Sequence, residues 1–339
     1  MYKLKLTDLD KALSLLNKEG GLYIPAVAGF VPYTEGAKPE LTALPRQSIK
    51  ELFFPQNEEL LTFTCKGQEL KLEQKQPKSI AKIVFGVKAC DAHSLVILDK
   101  VFLEAPVDTY YAKGRQETIL IGLGCSRPTE TCFCHSLGLN GSRPATDVQT
   151  WLVGKELYWE PITSKGQEVT KALAGLLEQA EDIGPVAAQE QQLQAYLSKL
   201  PLGNFKANSK LADQELQVFN SKAWEKLAAG CLSCCTCTYA CPTCHCYDIR
   251  DCQVKEGTTV RYRCWDSCMA RDFTKMAHGN PRKSKVERFR QRYMHKLVYF
   301  PANHQGLIAC TGCGRCLQQC PAHLNIVKVA KALEVDLNV

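Results

Sequence analysis

Two stretches in the last third of the chain, CLSCCTCTYACP (Cys231 to Pro242) and CTGCGRCLQQCP (Cys310 to Pro321), share the spacing C-x-x-C-x-x-C-x-x-x-C-P. This run binds cubane iron–sulfur clusters: three closely spaced thiolates take one cluster and the fourth reaches across to the other. A cubane presents four irons, and a C-x-x-C-x-x-C turn meets three of them. The spacing therefore predicts two crossed sets. One is Cys231, Cys234 and Cys237 with the remote Cys320; the other is Cys310, Cys313 and Cys316 with the remote Cys241. The chemistry expected of such centres is transfer of single electrons. Gly312 and Gly314 let backbone N–H groups turn toward sulfur, which tunes the potential.

A third set emerges from the elements that must position it. The runs KIVFGVK (82 to 88) and TILIGLG (118 to 124) are short, β-branched and glycine-bounded, and read as buried strands. The helix-like DAHSLVILDKVFL between them suits a βαβ crossover, and GLYIPAVAGFVPY supplies a further strand. In an open parallel sheet, ligands gather beyond the carboxyl ends of neighbouring strands. Cys90 and Cys125 stand at two such ends, and Cys132 and Cys134 follow in SRPTETCFCHS. These four thiolates are expected to converge on a third metal, a [4Fe–4S] cluster ahead of zinc; the alternative is four buried, reduced thiols. A fragment ending near residue 215 should then hold that cluster by itself.

Fourteen of the nineteen cysteines lie after residue 220, beyond a polar stretch at about 180 to 215. The chain thus divides into an α/β domain, residues 1–215, and a helix-rich, ferredoxin-like dicluster [4Fe–4S] domain, residues 216–339. SKVERFRQRYMHKLVYF reads as an amphipathic helix between the motifs, with Val286, Phe289, Tyr293, Leu297 and Phe300 facing the cluster module. Lys285, Arg288, Arg292 and Lys296 lie off that stripe and are expected in solvent. Cys244, Cys246, Cys252, Cys264 and Cys268 could assemble another centre or serve as core thiols, and Cys65 reads as structural. Crowded cysteines at ligand spacings in a 339-residue chain point to metal in a reducing compartment, not to a disulfide scaffold. With neither a secretory leader nor an apolar run of membrane-spanning length, the expected location is the cytoplasm.

The formal charge of +7 falls to about +3 once two clusters of about −2 each are counted. From Ser221 onward 18 Lys and Arg face 9 Asp and Glu, so the basic half is the cluster half. That basicity and the C-x-x-C pairs motivate one alternative, a zinc-binding nucleic-acid-binding protein. Tandem C-x-x-C-x-x-C-x-x-x-C-P runs argue against it. No G-x-G-x-x-G or Walker loop follows a strand, so the chain shows no nucleotide or substrate site of its own.

FGVKACDAHSLVILDKVFL, the CFCHS after GLGC, CLSCCTCTYACPTCHCYDI, RCWDSCMARDF, NPRKSKVERFRQRYMHK and CTGCGRCLQQCPAHL together resemble the family that unites the anaerobic sulfite reductase A-subunit with the sulfhydrogenase beta subunit. The resemblance covers most of residues 80 to 137 and 225 to 325. It implies one subunit of a soluble complex, joining a flavin- and NAD(P)-binding subunit of ferredoxin-reductase type to a catalytic oxidoreductase subunit. It supports the two cluster sets residue by residue and, more weakly, the N-terminal quartet. Cys235, Cys252 and Cys264 depart from the family pattern.

Overall fold

Strands apolar on both faces are stable only inside a covered sheet, and the central strands occupy that position in the computed structural model, which describes residues 1–203, 205 and 210–337. The strands are β1 Tyr2–Lys5, β2 Leu22–Pro25, β3 Phe30–Pro32, β4 Asn57–Lys66, β5 Glu69–Gln74, β6 Ile83–Val87, β7 Ile119–Leu123, β8 Val148–Val153, β9 Glu156–Pro161, β10 Glu178–Gln179, β11 Tyr247–Lys255 and β12 Thr258–Trp265. The larger sheet runs β10-β1-β9-β8-β7-β6-β2-β3. Its four neighbours β8, β7, β6 and β2 are parallel, with antiparallel strands on either flank.

The two runs read as strands are β6 and β7, with Ile83 opposite Ile119 and Phe85 opposite Ile121. The chain passes between them through the helices Ala89–Phe102 and Thr109–Glu117, the second capped by Asp108, which accepts from Tyr111 N–H at 2.9 Å. GLYIPAVAGFVPY supplies the antiparallel pair β2 and β3. Leu4, Leu13, Phe85, Ile121, Leu123 and Trp159 share one buried cluster, and Phe53, Val84, Leu98, Phe102 and Tyr111 share another. The N-terminal region is mixed α/β.

The segment after residue 215 is not simply helix-rich. It contributes β11 and β12 to a second, wholly antiparallel sheet of order β11-β12-β4-β5, whose other two strands come from the N-terminal region. The hairpin escapes a hydrophobicity reading because an inward position on β12 is held by a charge. Arg263 is 4% exposed, pairs with Glu58 at 2.7 Å and with Asp108, and stacks near Phe54 and Phe102. Residues 204 and 206–209, in the polar stretch taken as the domain boundary, lie outside the described residues.

The amphipathic segment is a helix at Lys285–Met294 that continues through a wider π-helical turn, His295–Tyr299. A capping box starts it: Ser284 Oγ accepts from Glu287 N–H, and Glu287 Oε2 accepts from Ser284 N–H. Phe289, Tyr293 and Leu297 pack with Trp224, Met269 and Val327. The solvated basic face is a misreading: Arg288, Arg292 and Lys296 are 8%, 3% and 3% exposed. Helical periodicity assigns residues to a face but does not say what the face meets: Arg288 meets the carbonyls of Met269, Arg282 and Lys283, and Arg292 and Lys296 lie beside thiols.

Candidate iron–sulfur centres

The two motifs fold as local copies of each other. Each runs into a short helix, Thr236–Tyr239 or Arg315–Gln318, just after a turn with left-handed residues at the third and fifth motif positions. These are Ser233 (φ 53°) and Cys235 (φ 62°) in the first, Gly312 (φ 64°) and Gly314 (φ 74°) in the second. Non-glycine residues seldom occupy this region. The turn aims the third residue's N–H at the first sulfur in both copies: Ser233 N donates to Cys231 Sγ and Gly312 N to Cys310 Sγ, each at 3.4 Å. Cys235, which departs from the family pattern, stands where Gly314 stands.

Cys231, Cys234, Cys237 and Cys320 line one pocket, together with Phe289, Arg292 and Tyr293. Leu324 N donates to Cys320 Sγ at 3.4 Å. The last cysteine of the second motif therefore sits with the first motif. In the other direction, Cys241 neighbours Cys310, Cys313 and Cys316. Burial raises all three of those thiols, Cys310 to about 11, and Cys241 raises them further. A different buried cation relieves each: Lys296 for Cys310, Arg315 for Cys313 and Arg292 for Cys316. A hydrogen bond from the Cys244 thiol, outweighing burial and helped by Lys296, holds Cys241 well below the usual thiol range. Lys296 Nζ donates to Cys241 Sγ at 3.4 Å, Thr243 Oγ1 at 2.7 Å and the Ala309 carbonyl at 2.8 Å.

These surroundings fit a cluster bound by ionised thiolates. Metal binding requires deprotonated sulfur, and buried cations are costly without anions. Among the described residues, buried Arg292 Nε has no hydrogen-bond partner, and Arg292 lines the first cavity.

The N-terminal quartet converges as the strand ends predict. Cys90 is the second residue of the helix after β6, Cys125 lies two residues past β7, and both share a pocket with Cys132 and Cys134. Lys88 and Cys313 also line it. Burial, then Cys132 and Cys125, pushes the Cys134 thiol up to about 12. Thr129 Oγ1 lies 3.2 Å from Cys132 Sγ. The second motif is pressed onto this loop: Phe133 N donates to Gly312 O at 2.8 Å, and a Cβ on Gly312 would lie 2.5 Å from Cys134 N. Gly314 is equally confined, its Cβ position 2.4 Å from Thr131 Oγ1.

The other cysteines separate into two groups. Cys246 and Cys268 meet at the base of the β11–β12 hairpin, where Asp266 N donates to Cys246 O at 2.9 Å; Cys244 lies beside them. Cys65 and Cys252 are exposed on the second sheet, so the structural role read for Cys65 has no support from burial, and Cys264 is half-buried on β12. Among the described residues, no three His, Cys, Asp or Glu side chains close on a single-ion site. The sequence reading missed the cations Lys88, Arg292, Lys296 and Arg315 and the acid Asp91. Three of these five lie within two residues of a proposed ligand, which is the signal that could have found them.

The geometry defines an iron–sulfur protein of the dicluster [4Fe–4S] class, and a family model described as a 4Fe-4S dicluster domain matches residues 230–324. That match sets the zinc alternative aside. Sulfhydrogenase 2 subunit beta of Pyrococcus furiosus is 35% identical over 261 residues, 73% of this chain and 72% of that protein. The chain belongs to the sulfhydrogenase beta subunit family. It is an iron–sulfur electron-transfer protein carrying [4Fe–4S] clusters. Among the described residues, no helix is long and apolar enough to cross a membrane.

Proposed function

We propose that the chain relays single electrons between two neighbours, with a flavin- and NAD(P)-binding subunit on one side and a catalytic oxidoreductase subunit on the other. In this reading Cys231, Cys234, Cys237 and Cys320 hold one [4Fe–4S] cluster, Cys310, Cys313, Cys316 and Cys241 a second, and Cys90, Cys125, Cys132 and Cys134 a third. The observation that carries it is contiguity. Cys320 lines the first cavity and belongs by sequence to the second motif, while Cys313 of that motif also lines the N-terminal cavity. The relative's name, which makes it a subunit of a sulfhydrogenase, supports a place within an assembly.

A bound cubane gains or loses one electron with little movement of its ligands. The chain's own residues supply the rest. Phe289, Tyr293 and Met269 shield the first cavity, and Lys88 places a buried cation beside the N-terminal quartet, its Nζ donating to Leu41 O at 2.9 Å. Each end of the series reaches the surface. Cys234 is exposed and Leu232 is 67% exposed at the rim of the first cavity. Cys125 and Arg127 also line an open pocket of about 740 Å³ with Gln189 and Tyr196. Tunnelling falls steeply with distance, so partners exchanging electrons with the chain must dock at such rims.

The test is Cys320→Ser in the anaerobically purified full chain. Electron paramagnetic resonance should show damage to the cluster of Cys231, Cys234 and Cys237, with the cluster of Cys310 intact; damage confined to the latter refutes the crossed sets. Wild-type protein should contain about twelve irons, and about eight would remove the N-terminal centre. A flavin- and NAD(P)-binding chain should co-purify, and reduction by a soluble ferredoxin alone, with indifference to NAD(P)H plus flavoprotein, would contradict that partner.

A further inference from the structure

We propose that Arg292 and Lys296 set the reduction potentials of the two dicluster centres, Arg292 as a charge shared by both and Lys296 as a charge serving the second. The proposal rests on the ligand sets of the proposed function. The two residues stand one turn apart on the same helical run, and each is 3% exposed. The buried arginines Arg263 and Arg315 have carboxylate partners, and the buried lysines Lys50 and Lys88 donate to the carbonyls of Cys244 and Leu41. Among the described residues, neither Arg292 nor Lys296 forms an ion pair with a carboxylate. Among the described residues Arg292 lies beside sulfurs and the ring of Tyr293, 4.5 Å from its guanidinium carbon, and Lys296 beside Cys241 Sγ and the oxygens of Thr243 and Ala309.

Placement divides the two roles. Arg292 lines the cavity of Cys231, Cys234, Cys237 and Cys320, its charge also bears on Cys316, and its Nε is free to donate toward sulfur. Lys296 reaches Cys241 at 3.4 Å and closes Thr243 to Ala309, the residue before Cys310. Reduction adds one negative charge to a centre that is already anionic. A fixed buried cation stabilises the reduced form more than the oxidised one, and does so strongly where water is excluded. Removing the cation must lower the potential of each centre it faces. Helical propensity and packing impose no such requirement, since Gln fits a helix nearly as well as Arg or Lys.

The experiment is a mediated redox titration of the full chain followed by electron paramagnetic resonance, with iron and sulfide measured on every sample. The signal altered by Cys234→Ser identifies the first centre, independently of Cys320→Ser. Arg292→Gln should lower both midpoint potentials, Lys296→Gln only that of the second, and Arg292→Lys should restore both to near wild type. Unchanged potentials in Arg292→Gln at wild-type iron content, or a shift in one centre alone, overturn the proposal. Should Arg292→Gln assemble no clusters, Lys296→Gln carries the test: a lowered potential in the second centre alone supports the proposal, and unchanged potentials overturn it. Failure of the ligand sets is visible separately, because Cys320→Ser would then leave the first centre intact whatever the Arg292 variants do.

Discussion

Arg315 is a buried charge with its counter-ion built in. It is 1% exposed, its guanidinium forks onto both oxygens of Asp91 at 2.6 and 2.9 Å, and Nε donates to Pro45 O at 2.9 Å. Asp91 follows Cys90 and Arg315 precedes Cys316, so the pair joins the second motif to the N-terminal quartet. Burial opposes the charge on Arg315, yet Asp91 and then Cys313 hold its pKa above the usual range. Breaking such a pair from one side strands the other ion, at a cost of about 3–5 kcal/mol. Asp91→Ala is therefore expected to lower stability by about that amount in anaerobic denaturant titration and to perturb the Cys313 and Cys90 centres before that of Cys231. A loss below about 1 kcal/mol would mean that the pair is readily replaced.

The turn between the third and fifth positions of each motif depends on its backbone more than its side chains, and the two copies tolerate different residues. Ser233 and Cys235 face room that Gly312 and Gly314 lack, because only the second motif lies against the loop from Thr131 to Cys134. Gly312→Ala should cost on the order of 1–3 kcal/mol through strain at φ 64° and through the displaced Cys134 backbone. Iron analysis and spectroscopy should find the proposed N-terminal centre weakened while the first centre is unaffected; wild-type iron and stability would contradict so close an approach. An N–H turned toward sulfur was legible in these glycines and is met at Gly312, whereas their packing against the Thr131–Cys134 loop was not legible. The placement of Cys320 beside the first motif was legible in the cysteine spacing, and β6 and β7 in their β-branched runs. The hairpin of β11 and β12 was not, because Arg263 fills an inward place, and the basic stripe was misread because its partners, carbonyls for Arg288 and thiols for Arg292 and Lys296, come mostly from distant segments.

Residues 1–215 and 216–339 differ in composition, but they are joined by a sheet, a buried ion pair and a backbone contact at Gly312. A 1–215 fragment would leave β4 without β12, Asp91 without Arg315 and the Thr131–Cys134 loop without its cover. The expectation that such a fragment holds a cluster by itself is therefore replaced by its opposite: reconstituted with iron and sulfide, it should stay colourless or aggregate. For the same reason, anaerobic calorimetry of the full chain should give one dominant unfolding transition in place of two. Two well-separated transitions, the first leaving the N-terminal chromophore intact, would show the halves to be independent.

The shared sheet also has a consequence for the order in which the protein is made. The edge of β4 that pairs with β12 leaves the ribosome roughly 190 residues before its partner, a wait of about 10–40 s at ordinary synthesis rates. Throughout that interval the strand offers an unpaired row of N–H and C=O groups, the kind of edge on which nascent chains associate. The quartet of Cys90, Cys125, Cys132 and Cys134 is synthesised in the same window, before Gly312 and Arg315 exist to cover it. Biogenesis therefore passes through a stage in which the oldest part of the chain is its least protected, and whatever loads iron early has open access to those four thiols.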